Sequence, residues 1–174
     1  MKKGASRPKF GDIYELRLSK GVAYLQYILR HTRPPQYGPV IRVLPGVFSH
    51  RIDDPEGLAD QEERFLALYW LPGAVTDGIA DRVGHREVPS RFDTWPLFKD
   101  QSISKWRIWN GIATETENPL KPEHYDLPMK ELVPRSLLIA RIESGWHPRD
   151  EVFLRNPELR ETYEKWKREQ SQMP

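Results

Sequence analysis

The chain has 174 residues, 38% of them hydrophobic and 30% charged, with 16 prolines, six tryptophans and no cysteine. A chain of this length buries enough surface for a core without staples. The missing thiol excludes a disulfide scaffold, a thiolate metal site and a cysteine nucleophile, and points to a reducing compartment. With 27 basic and 25 acidic side chains the net charge is +2, too small for the basic footprint of a nucleic-acid- or anionic-membrane-binding protein.

Residues 1–9 hold Lys2, Lys3, Arg7 and Lys9. They read as a basic, flexible N-terminus, and no apolar run follows that would make them a secretory signal. Nor does any stretch approach the ~18 apolar residues of a membrane span, so the expected localisation is cytoplasmic with no membrane partner. Residues 10–174 read as one β-rich domain. In Gly11–Leu18, Tyr14, Leu16 and Leu18 alternate with Ile13, Glu15 and Arg17, which predicts a half-buried strand. Ser19-Lys20-Gly21 then turns the chain into a second strand over Val22–Arg30, making a hairpin. His31–Pro39 holds three prolines and a glycine and reads as a loop.

Val40–Leu44 and Phe65–Leu71 read as strands stopped by Pro45-Gly46 and Pro72-Gly73, and Ile79–Val88 as another. Val88–Pro96 is a turn-rich connection. The branched and aromatic content of Ile103–Asn110 favours a strand. Glu115–Pro134 reads as a surface crossing, and Leu137–Ile142 as a last strand. At the end the period changes. Asn156 stands as an N-cap before Pro157, and Leu159, Tyr163 and Trp166 fall at i, i+4 and i+7, predicting an amphipathic helix over about residues 157–169. The fold class expected is α+β: a mostly antiparallel sheet of six or seven strands, or a small barrel, with a C-terminal amphipathic helix.

Motifs for chemistry are sparse. No glycine pattern matches a phosphate cradle. His31, His50, His85, His124 and His147 show no metal-ligand spacing, so no metal or cofactor is expected. Ser144-Gly145-Trp146-His147-Pro148-Arg149-Asp150 gathers a hydroxyl, an imidazole, a guanidinium and a carboxylate. A hydrolase-type site using His147 with Asp150 or Glu151 is therefore one reading, and a turn leading into the last helix is the other. Tyr24, Tyr27, Tyr69, Trp70, Trp95, Trp106 and Trp109, with Arg30, Arg42, Lys105 and Arg107, suit either a base-stacking or peptide-binding β module or simple core packing. The clearest charge block is the segment 53–63, where Asp53, Asp54, Glu56, Asp60, Glu62 and Glu63 occur with no basic residue. It suits a basic protein partner by complementary potential, or a solvated loop.

Two stretches carry a resemblance. Phe10-Gly11-Asp12-Ile13-Tyr14-Glu15-Leu16 followed by Gly21-Val22-Ala23-Tyr24-Leu25-Gln26-Tyr27, and Val83-Gly84-His85-Arg86-Glu87-Val88-Pro89 followed by Pro96-Leu97-Phe98, resemble segments of the bacterial immunity protein 26 family. The resemblance covers about half of the chain. It implies a non-enzymatic inhibitor, made in a bacterium beside its cognate toxin in a polymorphic toxin system, and it brings over no catalytic residue. The loop His31–Pro39 and the connection Glu115–Pro134 depart from the family pattern. The expected function is thus a cytoplasmic immunity protein that neutralises a protein toxin, with the acids of 53–63 as its candidate contact. The binding module and the His147 enzyme stand as alternatives.

Overall fold

A computed structural model describes residues 7–102 and 105–172. The part of the basic N-terminus in residues 1–6, and Ile103 and Ser104 of the predicted 103–110 strand, lie outside the described residues. Where the sequence groups 10–174 as one domain, the chain divides into two compact units. One comprises residues 1–96 and 131–145, the other residues 97–130 and 146–174.

The first unit holds a five-stranded antiparallel sheet built from β1 (Asp12–Leu18), β2 (Gly21–His31), β3 (Gly38–Val43), β4 (Phe65–Leu68) and β5 (Ala80–His85), in the order β4-β3-β2-β1-β5. The predicted hairpin is present, with Leu18 opposite Gly21 and Ile13 opposite Gln26. Gly21 takes φ 108°, a conformation open to glycine at the end of a tight turn. β1 departs from the half-buried expectation: Asp12, Ile13, Tyr14, Glu15 and Leu16 are all buried. The reason lies in the chain after β3. Ile52, Leu58 and Ala59 pack with Ile13, Tyr24 and Leu44 in one cluster, so the acid-rich stretch covers a sheet face instead of standing free in solvent.

One predicted strand segment ends early and another is helical. Phe65–Leu71 is strand only through Leu68; Leu71–Thr76 forms α2, after the short α1 (Pro55–Leu58). Pro72 opens that helix rather than stopping a strand, because a proline in the first turn forfeits only an N–H that has no intrahelical acceptor. Leu137–Ile142 lies within α3 (Arg135–Glu143), whose buried residues are Leu138, Arg141 and Ile142. That is a helical i, i+3, i+4 face, disguised in sequence because its middle position is an arginine. Arg141 is paired with Glu131 at 2.6 Å. α3 is tied to the rest of the unit by Arg64, which donates to the Ile142 carbonyl, and by Glu143, which accepts from the backbone and hydroxyl of Ser19.

The second unit holds a three-stranded antiparallel sheet, β6 (Phe98–Ser102), β7 (Lys105–Trp109) and β8 (Thr114–Glu117), in that order. β6 and β8 were not anticipated: β8 reads Thr-Glu-Thr-Glu and shows no apolar alternation. The last helix begins later than predicted. Asn156 closes α4 (Pro148–Arg155) by donating to the Val152 carbonyl, and its own carbonyl accepts from Leu159, the first residue of α5 (Leu159–Ser171). The predicted stripe holds, with Tyr163 buried and Leu159 and Trp166 packed on a cluster of Trp106, Leu120, Tyr125, Val152 and Phe153. The fold is α+β, with two open sheets and no closed barrel among the described residues.

The most demanding group in the first unit is Arg42 of β3, 0% exposed. Its guanidinium donates to Gln26 Oε1 (2.7 Å), to the Ala59 carbonyl and to the Gln61 carbonyl (3.4 Å), and it pairs with Glu63 (3.4 Å). Replacing one member of such an array strands the others in the core. Arg42→Leu is expected to destabilise the unit by about 3–5 kcal/mol, read as a lower urea midpoint; a loss under about 1 kcal/mol contradicts this role.

Candidate functional site

The six acids of 53–63 are spread over distinct tasks. Asp54 caps α1 by accepting from the Gly57 amide at 2.8 Å, and Pro55 follows it in the first turn. Glu56 accepts from the His85 amide at 3.0 Å. Asp60 takes both arms of Arg86, at 2.8 and 2.7 Å. Glu63 pairs with Arg91 as well as Arg42. Asp53 and Glu62 are exposed and have no ion pair among the described residues. The block is therefore anchored at four acids and open at two.

The Gly11-Asp12 and Gly84-His85-Arg86 parts of the family resemblance meet at one end of the sheet. Asp12 lies opposite His85, and its carboxylate accepts from Arg82 Nε (2.8 Å), His85 Nδ1 (3.2 Å), the Lys9 amide (2.9 Å) and the Tyr14 hydroxyl (3.3 Å). Burial pushes this acid up, but the Arg82, Lys9 and His85 hydrogen bonds and the Arg82 charge together outweigh it and hold the group below its ordinary value. Beside it, the Gln26 amide donates to the carbonyls of both Gly11 and Arg86. These residues form a satisfied structural knot in which every polar group of Asp12 is already engaged.

The aromatic candidates separate cleanly. Tyr24, Tyr27, Tyr69, Trp106 and Trp109 are at most 4% exposed, whereas Trp70 is 53% exposed. Trp95 is partly covered and meets His31 edge-on at 5.3 Å. Of the nearby cations, Arg42 is internal, Arg107 pairs with Asp100, and Arg30 is bonded to Tyr27. Five of the seven rings therefore pack in core positions and present no stacking face. The Ser144–Asp150 cluster is a helix start: Asp150 accepts from the His147 amide at 2.8 Å, its own amide donates to the His147 carbonyl, and Pro148 begins α4. Of the two carboxylates considered as catalytic partners, Asp150 and Glu151, the first is spent on capping. His124 meets Glu117 at 2.8 Å, and His50 meets Ser49 at 2.8 Å. No group of three His, Asp or Glu side chains suited to a metal ion occurs among the described residues, and no helix among them is long and apolar enough to cross a membrane.

Two features were missed in the sequence. The first is a cleft of about 570 Å³ in the first unit, lined by Tyr69, Trp70 and Asp77 together with Leu132 and Arg135. The sequence signal for it was slight, a tryptophan placed beside a proline-started helix. The second is Lys99 on β6. It is 0% exposed, and its amine donates to the carbonyls of Tyr125 and Pro148. An uncharged amine has two N–H groups, and these two carbonyls take them up.

No protein-family model, curated protein or solved structure matches the chain.

Burial drives Lys99 from 10.5 down to about 7, against the pull of Asp126, Glu151 and Asp150 and with the help of Arg149. Between those values the unfolded chain binds a proton that the folded one does not, so stability rises with pH from about 7 towards 10. Above that window the buried hydroxyls of Tyr24, Tyr27, Tyr69, Tyr125 and Tyr163, all pushed up chiefly by burial, make stability fall again. Urea unfolding across pH 6–11 is expected to show this maximum, and Lys99→Met to flatten its rising limb. A wild-type curve with no rise between pH 7 and 9 would refute the assignment.

Proposed function

We propose that the chain is an immunity-type protein that binds and neutralises a cognate bacterial toxin, acting in the cytoplasm of the cell that makes the toxin. The observation that carries this reading is the anchored acidic segment. Asp53, Asp54, Glu56, Asp60 and Glu62 are exposed, on a stretch held by the Asp54 cap, the Arg86–Asp60 fork and the buried Arg42. A charged surface already fixed in position spends little ordering entropy when a partner arrives. Its field accelerates encounter with a basic partner and sets the approach. The resemblance of the Gly11-Asp12 and Gly84-His85-Arg86 stretches to immunity protein 26 supplies the class of partner. Those residues build the sheet end on which the acidic segment rests, which suits a family whose shared positions are structural and whose contacts vary.

The alternatives draw less support. A stacking module needs exposed rings, and five of the seven candidate aromatics are internal. A hydrolase that pairs His147 with Asp150 needs a free carboxylate, and Asp150 caps α4; the pairing with Glu151 rests on closeness in sequence.

The test is co-expression with the product of the adjoining reading frame. This chain is expected to relieve growth arrest caused by that product and to bind it in vitro. Asp53→Lys with Glu62→Lys, both free of ion pairs among the described residues, is expected to slow association by about tenfold and to flatten its dependence on salt. Failure to relieve the arrest overturns the function; relief with an unchanged association rate overturns the acidic contact.

A further inference from the structure

We propose that the cleft beside Trp70 is a binding site for a planar aromatic monocarboxylate. The site is independent of the acidic segment and of the toxin reading. Its volume of about 570 Å³ lies within the range of small-molecule pockets. Its wall is an indole held in position. A Cβ on Gly73 would come within 2.5 Å of the Trp70 ring, and one on Gly38 within 3.8 Å, so the ring lies against two backbone segments that have no side chain there. It remains 53% exposed. A flat aromatic ligand recovers this apolar area by stacking on it.

Two polar side chains of the cleft, Tyr69 and Arg135, have no hydrogen bond or ion pair to another side chain among the described residues. Tyr69 lines it with only 3% of its surface exposed, and its hydroxyl makes no hydrogen bond among the described residues. The charges that act on this phenol are those of Arg135 and Asp77, both of which also line the cleft. Its O–H, on a side chain otherwise enclosed, therefore lies within the field of a cation and an anion of the cleft and is open to an acceptor that a ligand supplies. Arg135 is exposed and has no ion pair among the described residues. It also begins α3, a nine-residue helix whose N-cap, Pro134, offers no side-chain acceptor to the first amides. A guanidinium, open helix amides and a phenol O–H around one cleft form a carboxylate receptor. Asp77 repels a second anionic group and accepts from a ring N–H or O–H, which selects a monoanion.

The test uses the full chain, labelled with nitrogen-15 and titrated with indole-3-acetate, with tryptamine as the cationic counterpart of similar shape. Indole-3-acetate is expected to shift amides of residues 69–79 and 132–137 saturably, with a dissociation constant below about 1 mM. Tryptamine is expected to bind at least about tenfold more weakly. Arg135→Gln, at an exposed position without partners, keeps the fold and is expected to weaken indole-3-acetate about tenfold. Gly73→Ala, which drives a methyl into the indole, is expected to weaken it as well. Absence of saturable shifts up to about 10 mM, shifts confined to other residues, equal binding of tryptamine, or unchanged affinity in Arg135→Gln each overturns the proposal.

Discussion

The first unit depends on one buried cation. Arg42 lies on β3 directly opposite Gln26 of β2, and its guanidinium serves both that amide and the carbonyls of Ala59 and Gln61. Removing a guanidinium from water is costly, and only a full set of acceptors in a planar fan repays it. A lysine at this position has a point charge and lacks the reach to serve the same set. Gln26 in turn spends its N–H groups on the Gly11 and Arg86 carbonyls. One side chain therefore connects the middle of the sheet, the start of β1, the end of β5 and the acid-rich segment. Leu58 and Ala59 are brought over Ile13 and Tyr24 by that same anchorage.

The elements read correctly from sequence are those in which local pattern and tertiary environment agree. The first hairpin is one, with a glycine at φ 108° closing its turn; the apolar stripe of α5 is another. The errors share a cause. Neither the apolar run 65–71 nor the short segment 137–142 shows a clear period of its own, and the structure turns on the neighbouring proline, after the first and ahead of the second. Pro72 and Pro134 both start helices. Proline is equally compatible with stopping a strand and with opening a helix, so its presence alone does not choose. β8 fails differently, since an edge strand of Thr and Glu has no apolar face to betray it.

The candidate site was half legible for a related reason. That 53–63 is acidic is plain in the sequence; that four of its acids are engaged is not, because the partners of Asp60 and Glu63 lie 21 to 28 residues away. The Trp70 cleft was harder still, as residues 69–79 and 132–136, far apart in sequence, come together where the Val133 amide donates to the Leu68 carbonyl beside β4. His147 and Asp150 show the reverse case. Their closeness in sequence suggested chemistry, and a capping interaction at the start of α4 accounts for it.

Charged side chains in this protein divide by whether folding has already used them. Asp12, Glu15, Arg42 and Glu63 are committed to internal partners, and replacing any of them is a question of stability. Asp53, Glu62, Asp77 and Arg135 are exposed and have no ion pair among the described residues, yet each sits next to a fixed element: the Asp54 cap, the Arg42 anchorage, the end of α2 and the start of α3. A charge on a rigid support that is held in no ion pair costs little further to organise when a ligand arrives. Recognition is therefore sought at these four positions and not at the denser clusters, because a satisfied ion pair must first be broken before it can hold anything else.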